Sequence, residues 1–481
     1  MADDISFARV SLASVFALAL SACAAIGPDF HPPAAPGVAT YSMAGDPGYG
    51  SITLSPNPGS EVPWWRALRS PKLDGVMELA LAGNPSLVEA IATLERAKSQ
   101  AEAAHAKLKP QAELNAGAKR ERINAQAFGF VGFPSPTINL FSVGPSVSYD
   151  LDLFGGRRRA AESAHAQADR QAHQADAAYL SLTGNVALES LKIARLRSQL
   201  ATLDAIIADD QTTIVMVGRA QSAGGEPPSA ISGGQGQLAR DEALRPPLQR
   251  DLALARHQLA LLVGRAPGDW SAPDFDLADF HRPVTVPLEI PSSLVRHRPD
   301  ILAAEAELHG ATAKIGVAMA DLYPNVRLSA GFTQSSVEPA DLFRYNSTGW
   351  TLMSGLAAPL FDGGRLKAEK QAAQAEARAA LARYQATVLR ALVEVADAIS
   401  DLTQDDLTLA ALSRSEHAQA SHLDDARQAF KLGGAPMIAV VDAQRELNRA
   451  RRETLNAQAR LQSDLVALLT ASAAGRKTQT P

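Results

Sequence analysis

Between residues 140 and 153 every second residue is apolar. Phe141, Val143, Pro145, Val147, Tyr149, Leu151 and Leu153 alternate with Ser142, Gly144, Ser146, Ser148, Asp150 and Asp152. A period of two predicts a strand with one apolar and one polar face. The period recurs in "AELNAGAK", where Ala112, Leu114, Ala116 and Ala118 alternate with Glu113, Asn115, Gly117 and Lys119. In "NVRLSAGFT", Val326, Leu328, Ala330 and Phe332 alternate with Asn325, Arg327, Ser329 and Gly331. The fourth set is Trp350, Leu352, Leu356, Ala358 and Leu360, with Ser354 interrupting it and Met353 on the opposite face. Four strands are therefore expected, at about 111–121, 140–153, 324–334 and 349–361.

Elsewhere the period is helical. Helices are expected at 86–108 and 300–322, and Pro110 and Pro324 mark the helix-to-strand junctions, since proline cannot continue a helix. Two much longer helices are expected at 157–219 and 365–432. Residues 365–432 hold no glycine or proline, and 157–217 hold only Gly184. At ~1.5 Å per residue each approaches about 100 Å. Tyr384, Val388, Leu392, Val395, Ile399 and Leu402 step by three or four, as do Leu182, Val186, Ile193, Leu196, Leu200, Leu203 and Ile207 with Glu189 in the frame. That spacing predicts coiled-coil-like packing. Gly-Gly turns at Gly224-Gly225 and Gly433-Gly434 lead into returning helices expected at 237–263 and 437–470. Gly233, Gly234 and Gly236 predict a longer, looser first tip, because each costs roughly 1 kcal/mol against alanine in a helix.

The two sets of elements are copies. "DLFGGRRRAAESAHAQADR" from Asp152 returns as "LFDGGRLKAEKQAAQAEAR" from Leu360. Pro85–Gly117 aligns with Pro299–Gly331 without a gap, with twelve identities that include Pro110/Pro324, Leu114/Leu328 and Gly117/Gly331. The repeat exceeds any solenoid period and reads as a duplicated domain: residues 72–280 and 281–473, with a tail at 474–481. Gly155, Gly156, Gly363 and Gly364 fall where strand hands over to long helix, a change of backbone that glycine accommodates.

Residues 1–22 read as a signal peptide: Arg9, then the apolar "SVFALALSA", although Asp3 and Asp4 are unusual where a signal is positive. "LSAC" resembles a bacterial lipobox, with Cys23 as the lipid-modified first residue of a segment at 23–71. Ala24 at the next position, by the same resemblance, favours sorting to the outer membrane. The only cysteine cannot form an internal disulfide. Beyond residue 30 no apolar run reaches the length of a membrane-spanning helix. A net charge of −5 in 481 residues argues against a nucleic-acid partner.

There is no HExxH, GxSxG, phosphate loop or CxxC, so neither catalysis nor a cofactor is expected. His105, His165 and His173 are read as packed or solvated rather than as metal ligands, and Arg157, Arg158, Arg159, Asp424 and Asp425 as solvated helix faces.

In lipid, strands must close into a barrel. Four strands are too few, the smallest barrels having about eight. Three copies would give twelve and leave a polar lumen, so a trimer is expected: a mixed membrane α+β fold in which a twelve-stranded barrel continues into an α-helical tunnel.

With that architecture the chain resembles the TolC-like outer-membrane factor family, and within it the NodT-like efflux lipoproteins. The resemblance is carried in order by "GPDFHPP" (27–33), "PWWRAL" (63–68), "LAGNPSLVEA" (81–90), "IPSSLVRHRPDILAAEAEL" (290–308) and "VVDAQRELNRAR" (440–451). It implies a homotrimer held in the outer membrane by lipid and barrel, working with a periplasmic adaptor and an inner-membrane pump, of RND type, to expel small toxic molecules. By the same resemblance the adaptor meets the periplasmic tips at Gly224, Gly225, Gly433 and Gly434. Asp442 would cap or tie the second returning helix, and Asp424 and Asp425 would narrow the aperture. Ala435 stands where relatives often carry aspartate. A duct for type I protein secretion and a non-conducting envelope scaffold remain open alternatives.

Overall fold

The computed structural model describes residues 25–38, 40–43, 53–55, 63–124, 129, 132, 135–283, 285–287 and 291–472. The signal peptide and Cys23 lie outside the described residues. In chain order the elements are β1 (Thr53–Ser55), α1 (Pro71–Gly83), α2 (Pro85–Ala106), β2 (Gln111–Arg122), β3 (Thr137–Asp150), α3 (Gly156–Ser222), α4 (Pro228–Glu242) and α5 (Arg245–Val263). Then come β4 (Thr285–Pro287), α6 (Pro291–His297), α7 (Pro299–Ala320), β5 (Asn325–Ser336), β6 (Thr348–Ala357), α8 (Arg365–Lys431) and α9 (Met437–Ala471). Short 3-10 turns add Trp64–Leu68, Leu277–Asp279, Pro339–Asp341 and Tyr345–Ser347. Both long helices have 67 residues. No helix among the described residues is long and apolar enough to cross a membrane.

The chain divides into two compact units. The first gathers Thr93–Gln171 and Ala303–Tyr384 with the described residues up to Pro33. Its sheet is antiparallel in the order β2-β3-β5-β6. The register aligns the alternating positions of all four strands. Leu114 faces Pro145, Val147 faces Ala330 and Ala330 faces Leu352, while Glu113 faces Ser146, Ser148 faces Ser329 and Ser329 faces Met353. One face is therefore mostly apolar, with Arg120 of β2 and Ser354 of β6 among its exceptions, and the other mostly polar. The strands fall slightly earlier than the alternation alone suggests: β3 ends at Asp150 and β6 at Ala357. Asp150 ends its strand on Arg327, and Pro359, two residues past β6, has no N–H for a ladder.

The second unit gathers the described residues of 34–92, 172–302 and 385–481. Its core joins Trp65 and Leu68 of the first 3-10 turn, Leu73 and Met77 of α1, Val186 and Ile193 of α3, Leu259 of α5, Phe275, Val395 and Leu402 of α8, and Leu465 and Leu468 of α9. The motifs met in the sequence build this core. In "PWWRAL", Trp65 is buried and Trp64 donates to Thr183 Oγ1 at 3.1 Å. In "AGNP", Asn84 Oδ1 accepts from Leu87 N at 3.1 Å to cap α2, and its amide donates to Leu262 O at 2.9 Å. In "RPD", Arg298 pairs with Asp300 and with Glu394 of α8, each at 2.7 Å.

Two expectations are corrected. The first returning segment is helical already at Pro228, so Gly233, Gly234 and Gly236 lie inside α4 rather than in a loose tip. Nor does one helix run from 237 to 263: it is interrupted at Ala243–Leu244, because Pro246 and Pro247 have no N–H to bond back into the preceding turn.

Candidate functional site

Three places carry the expected function: the sheet, the junction of strand and long helix, and the tips. On the apolar face of the sheet, Trp350, Leu352 and Leu356 are 77%, 77% and 70% exposed. Apolar side chains this open, in rows on one face, need a non-aqueous or protein partner. Within this four-stranded sheet β2 and β6 are the outer strands. Their outer peptide groups require partners before the sheet can enter lipid.

At the first junction Gly155 has φ +76° and Gly156 opens α3. Asp152 caps that helix, its carboxylate accepting from Arg157 N at 2.9 Å and Arg158 N at 3.0 Å. At the second, Gly363 and Gly364 have φ of +66° and +90°, and Asp362 accepts from Gly364 N at 2.9 Å and Leu366 N at 2.8 Å. Those backbone bonds hold the Asp362 carboxyl below its ordinary range. Pro110 and Pro324 directly precede β2 and β5.

The segment just after Cys23 is seated on the first junction. Ile26 N donates to Phe154 O at 3.0 Å. Arg159 binds Asp29 at 2.6 Å and Glu162 at 2.8 Å, and donates to Ile26 O at 3.3 Å. Phe30 stacks on His309 with centroids 4.5 Å apart, and His309 Nε2 meets Glu162 at 3.0 Å. Gly27, at φ +108°, passes so close to Gly316 that a Cβ would lie 2.6 Å from the Gly316 Cα. "GPDFHPP" is therefore a strap fitted to α3 and α7. Arg159 is not the solvated residue expected: its side chain is only 6% exposed. The strap's acid and a carboxylate one turn on supply what burial takes away. No local pattern distinguished it from Arg157 and Arg158.

The two tips match bond for bond. Gly225 N donates to Ala220 O at 2.9 Å and Gly434 N to Ala429 O at 2.8 Å, with Gly224 and Gly433 at φ +80° and +72°. These are paired glycine C-caps. Glu226 joins the tips by accepting from Met437 N, the first amide of α9, at 3.2 Å. Asp442 ties no second helix. It is exposed and pairs with Arg445 on its own turn at 3.2 Å. The connector is its neighbour Gln444, which is buried. It donates to Asp209 of α3 at 3.0 Å and accepts from Arg427 of α8 at 2.8 Å. Asp424 and Asp425 are exposed on α8. His105 and His165 stand 6.3 Å apart edge to face, and no group of three metal-ligating side chains occurs among the described residues.

This arrangement is shared with known proteins. The profile of the family described as "Outer membrane efflux protein" matches residues 76–265 and 290–474. The pyoverdine export outer membrane protein OpmQ of Pseudomonas putida is 31% identical over 437 residues, covering 87% of this chain and 89% of that one. The probable outer membrane lipoprotein SilC of Salmonella typhimurium is 25% identical over 476 residues, covering 97% and 98%. The open state of the MtrE outer membrane channel of Neisseria gonorrhoeae superposes with a TM-score of 0.82 at 25% identity, covering 95% of this chain and all of that one. Together with the sheet and the paired tips, the two profile segments identify the chain as a TolC-like efflux channel protein of the Gram-negative outer membrane, a member of the outer membrane efflux protein family.

Proposed function

We propose that three copies close a twelve-stranded barrel in the outer membrane and that their long helices form a periplasmic tunnel, giving a passive duct with no catalytic step. The observation that carries this is the sheet: one mostly apolar face, one mostly polar face and two outer strands. Eight strands, from two copies, would be filled by side chains, whereas twelve leave a lumen lined by the polar face. Cys23 is acylated in this reading, and the strap at Ala25–Pro33 fixes the lipid beside the strand-to-helix junction. A periplasmic adaptor docks on the tips around Gly224-Gly225 and Gly433-Gly434, an inner-membrane pump of RND type feeds the duct, and the cargo is small toxic molecules. Asp424 and Asp425 face the narrowing lumen.

The test is the purified full-length protein in detergent and in a planar bilayer. A native mass of three lipidated chains together with discrete conductance steps supports the duct. A monomeric mass, or a trimer that never conducts, overturns it.

A further inference from the structure

The duplication fixes more than the number of copies. The β2–β3 junction pairs Gln111 with Ser148, and the β5–β6 junction pairs Asn325 with Ala357. Gln111 and Asn325 are equivalent in the gapless alignment of the repeats, so Ser148 and Ala357 are equivalent too. This carries every position of β2 onto β5 and of β3 onto β6. The remaining junction, β3–β5, joins the second strand of one repeat to the first strand of the next. A ring of copies needs one more junction of that kind, between β6 and the β2 of the following copy. It is the only junction a single chain does not contain.

We infer that β6 pairs antiparallel with β2 of the next copy in the register translated from β3–β5, with Gly355 opposite Gly117. The inference rests on the multi-copy barrel proposed above and specifies how its copies meet. The β3–β5 pair Ser146–Gly331 becomes Gly355–Gly117, and Val147–Ala330 becomes Leu356–Ala116. The translation passes a check that did not enter it. Leu352 and Leu356, on the apolar face of β6, meet Arg120 and Ala116, which lie on the same face of β2 as Leu114 and Ala118. A slip of one residue would turn one strand's apolar face into the lumen. Only slips of two, which place Gly355 opposite Asn115 or Lys119, keep the faces and compete.

The same translation shows that the two boundaries between repeats are unequal. Inside the chain the foot of the β3–β5 junction is clamped. Asp150, nearly fully buried, accepts from Arg327 Nε at 2.8 Å and also pairs with Arg157. Between copies, Pro359 takes the place of Asp150 and Glu113 that of Arg327. The seam holds its copies together without that clamp.

Cysteine pairs on the lumenal face test the register in the full-length protein, with each single variant controlling for Cys23. Under mild oxidation, Gly355→Cys with Gly117→Cys should give reducible dimers and trimers far more efficiently than Gly355→Cys with Asn115→Cys or Lys119→Cys. If one of the slipped pairs gives the highest yield, the register is wrong while the barrel stands. If none crosslinks and the unmodified protein has a monomeric native mass, the barrel itself fails. If none crosslinks in a trimer, the β6–β2 seam is wrong. The clamp gives a second readout. Pro359→Asp alone opposes two carboxylates and should lower the temperature at which the trimer dissociates in SDS. Combined with Glu113→Arg it should raise that temperature above both single variants and above the unaltered chain. A double variant no better than the two single effects added together would show that residues 359 and 113 do not face each other.

Discussion

The two returning helices hold the same topological place and are attached very differently. In the second repeat α9 is unbroken over 35 residues and buries a continuous face from Met437 through Val440, Leu447 and Leu461 to Leu469. In the first, α4 and α5 meet at a break, and the only fully buried residue of α4 is a carboxylate, Asp241. With the Gly-Gly turns aligned, Pro246 and Pro247 correspond to Leu455 and Asn456. Pro247, Leu455 and Asn456 line one cavity of about 250 Å³, with Leu203, Leu244 and Leu248. Helical stability in proteins comes mainly from packing an apolar face rather than from propensity. By that measure α9 is anchored and α4, which also carries three glycines, is held at its ends. Duplication reproduced the topology, and divergence left one returning helix packed along its length and the other interrupted.

Installing the break in the second repeat should show the largest effect. Asn456→Pro removes a helix hydrogen bond and the Gln199–Asn456 bond of 2.6 Å. It should cost about 3–4 kcal/mol, the magnitude of an interior proline plus a hydrogen bond. Pro247→Ala lies where the chain is already interrupted and should change stability by less than about 1 kcal/mol. Urea unfolding of the two variants measures both. Similar losses from both would mean that the break contributes as much to the bundle as the intact helix does.

A smaller effect is expected at the tip. Glu226 supplies a carboxylate to the first amide of α9, a helix N-terminus where negative charge is favourable. Glu226→Ala should cost about 0.5–1 kcal/mol, the usual scale of a lost cap. The equivalent positions in the other repeat are Ala435 and Pro228, and proline has no amide to cap. Ala435→Glu should therefore stabilise nothing, and a measurable gain would contradict the equivalence of the two tips.

How far the sequence disclosed this contrast depends on the range of the interaction. The alternation in 140–153 and the glycine-free run of 365–432 are local, and they placed the strands and long helices to within a few residues. The break at Pro246-Pro247 is legible by the same rules, since two adjacent prolines end a helix, yet the helix expected at 237–263 runs across it. The fit of Gly27 against Gly316, the burial of Arg159 and the bridging by Gln444 join residues between 17 and 289 positions apart, on separate elements. Nothing in the immediate neighbourhood of such residues signals their partners. Gln444 shows the limit most plainly: its partners lie on α3 and α8, and nothing in the polar residues beside it marks it as the buried one.

The contrast extends to protons. Each returning helix carries a carboxyl that meets a second carboxyl on the neighbouring long helix. In the first repeat Asp210 of α3 is pushed up to about 6, by burial first and then by its hydrogen bond to Asp241 and that residue's charge, with Asp209 adding and Arg445 opposing. In the second, Asp464 of α9 is pushed up to about 7, by burial, then by its hydrogen bond to Asp405 and the charges of Asp405 and Asp401, against Arg460. An acid raised above its ordinary 3.8 binds its proton more tightly in the folded protein. The fold therefore gains stability as pH falls through 7 and 6 toward 4, and loses it as pH rises again. The two steps should appear in different measurements. Asp464 ties an anchored helix, so Asp464→Asn should flatten the fall of the urea midpoint between pH 6 and 8. Asp241, the partner of Asp210, is the one fully buried residue of α4, so ionisation of Asp210 should appear as local opening. Above pH 6 the amides of 228–242 should exchange faster than intrinsic base catalysis explains, while those of 437–450 should not. Asp210→Asn should remove the excess. Exchange in 228–242 that follows intrinsic chemistry alone would mean that the carboxyl pair does not hold the first tip, and that the difference between the two returning helices is one of packing only.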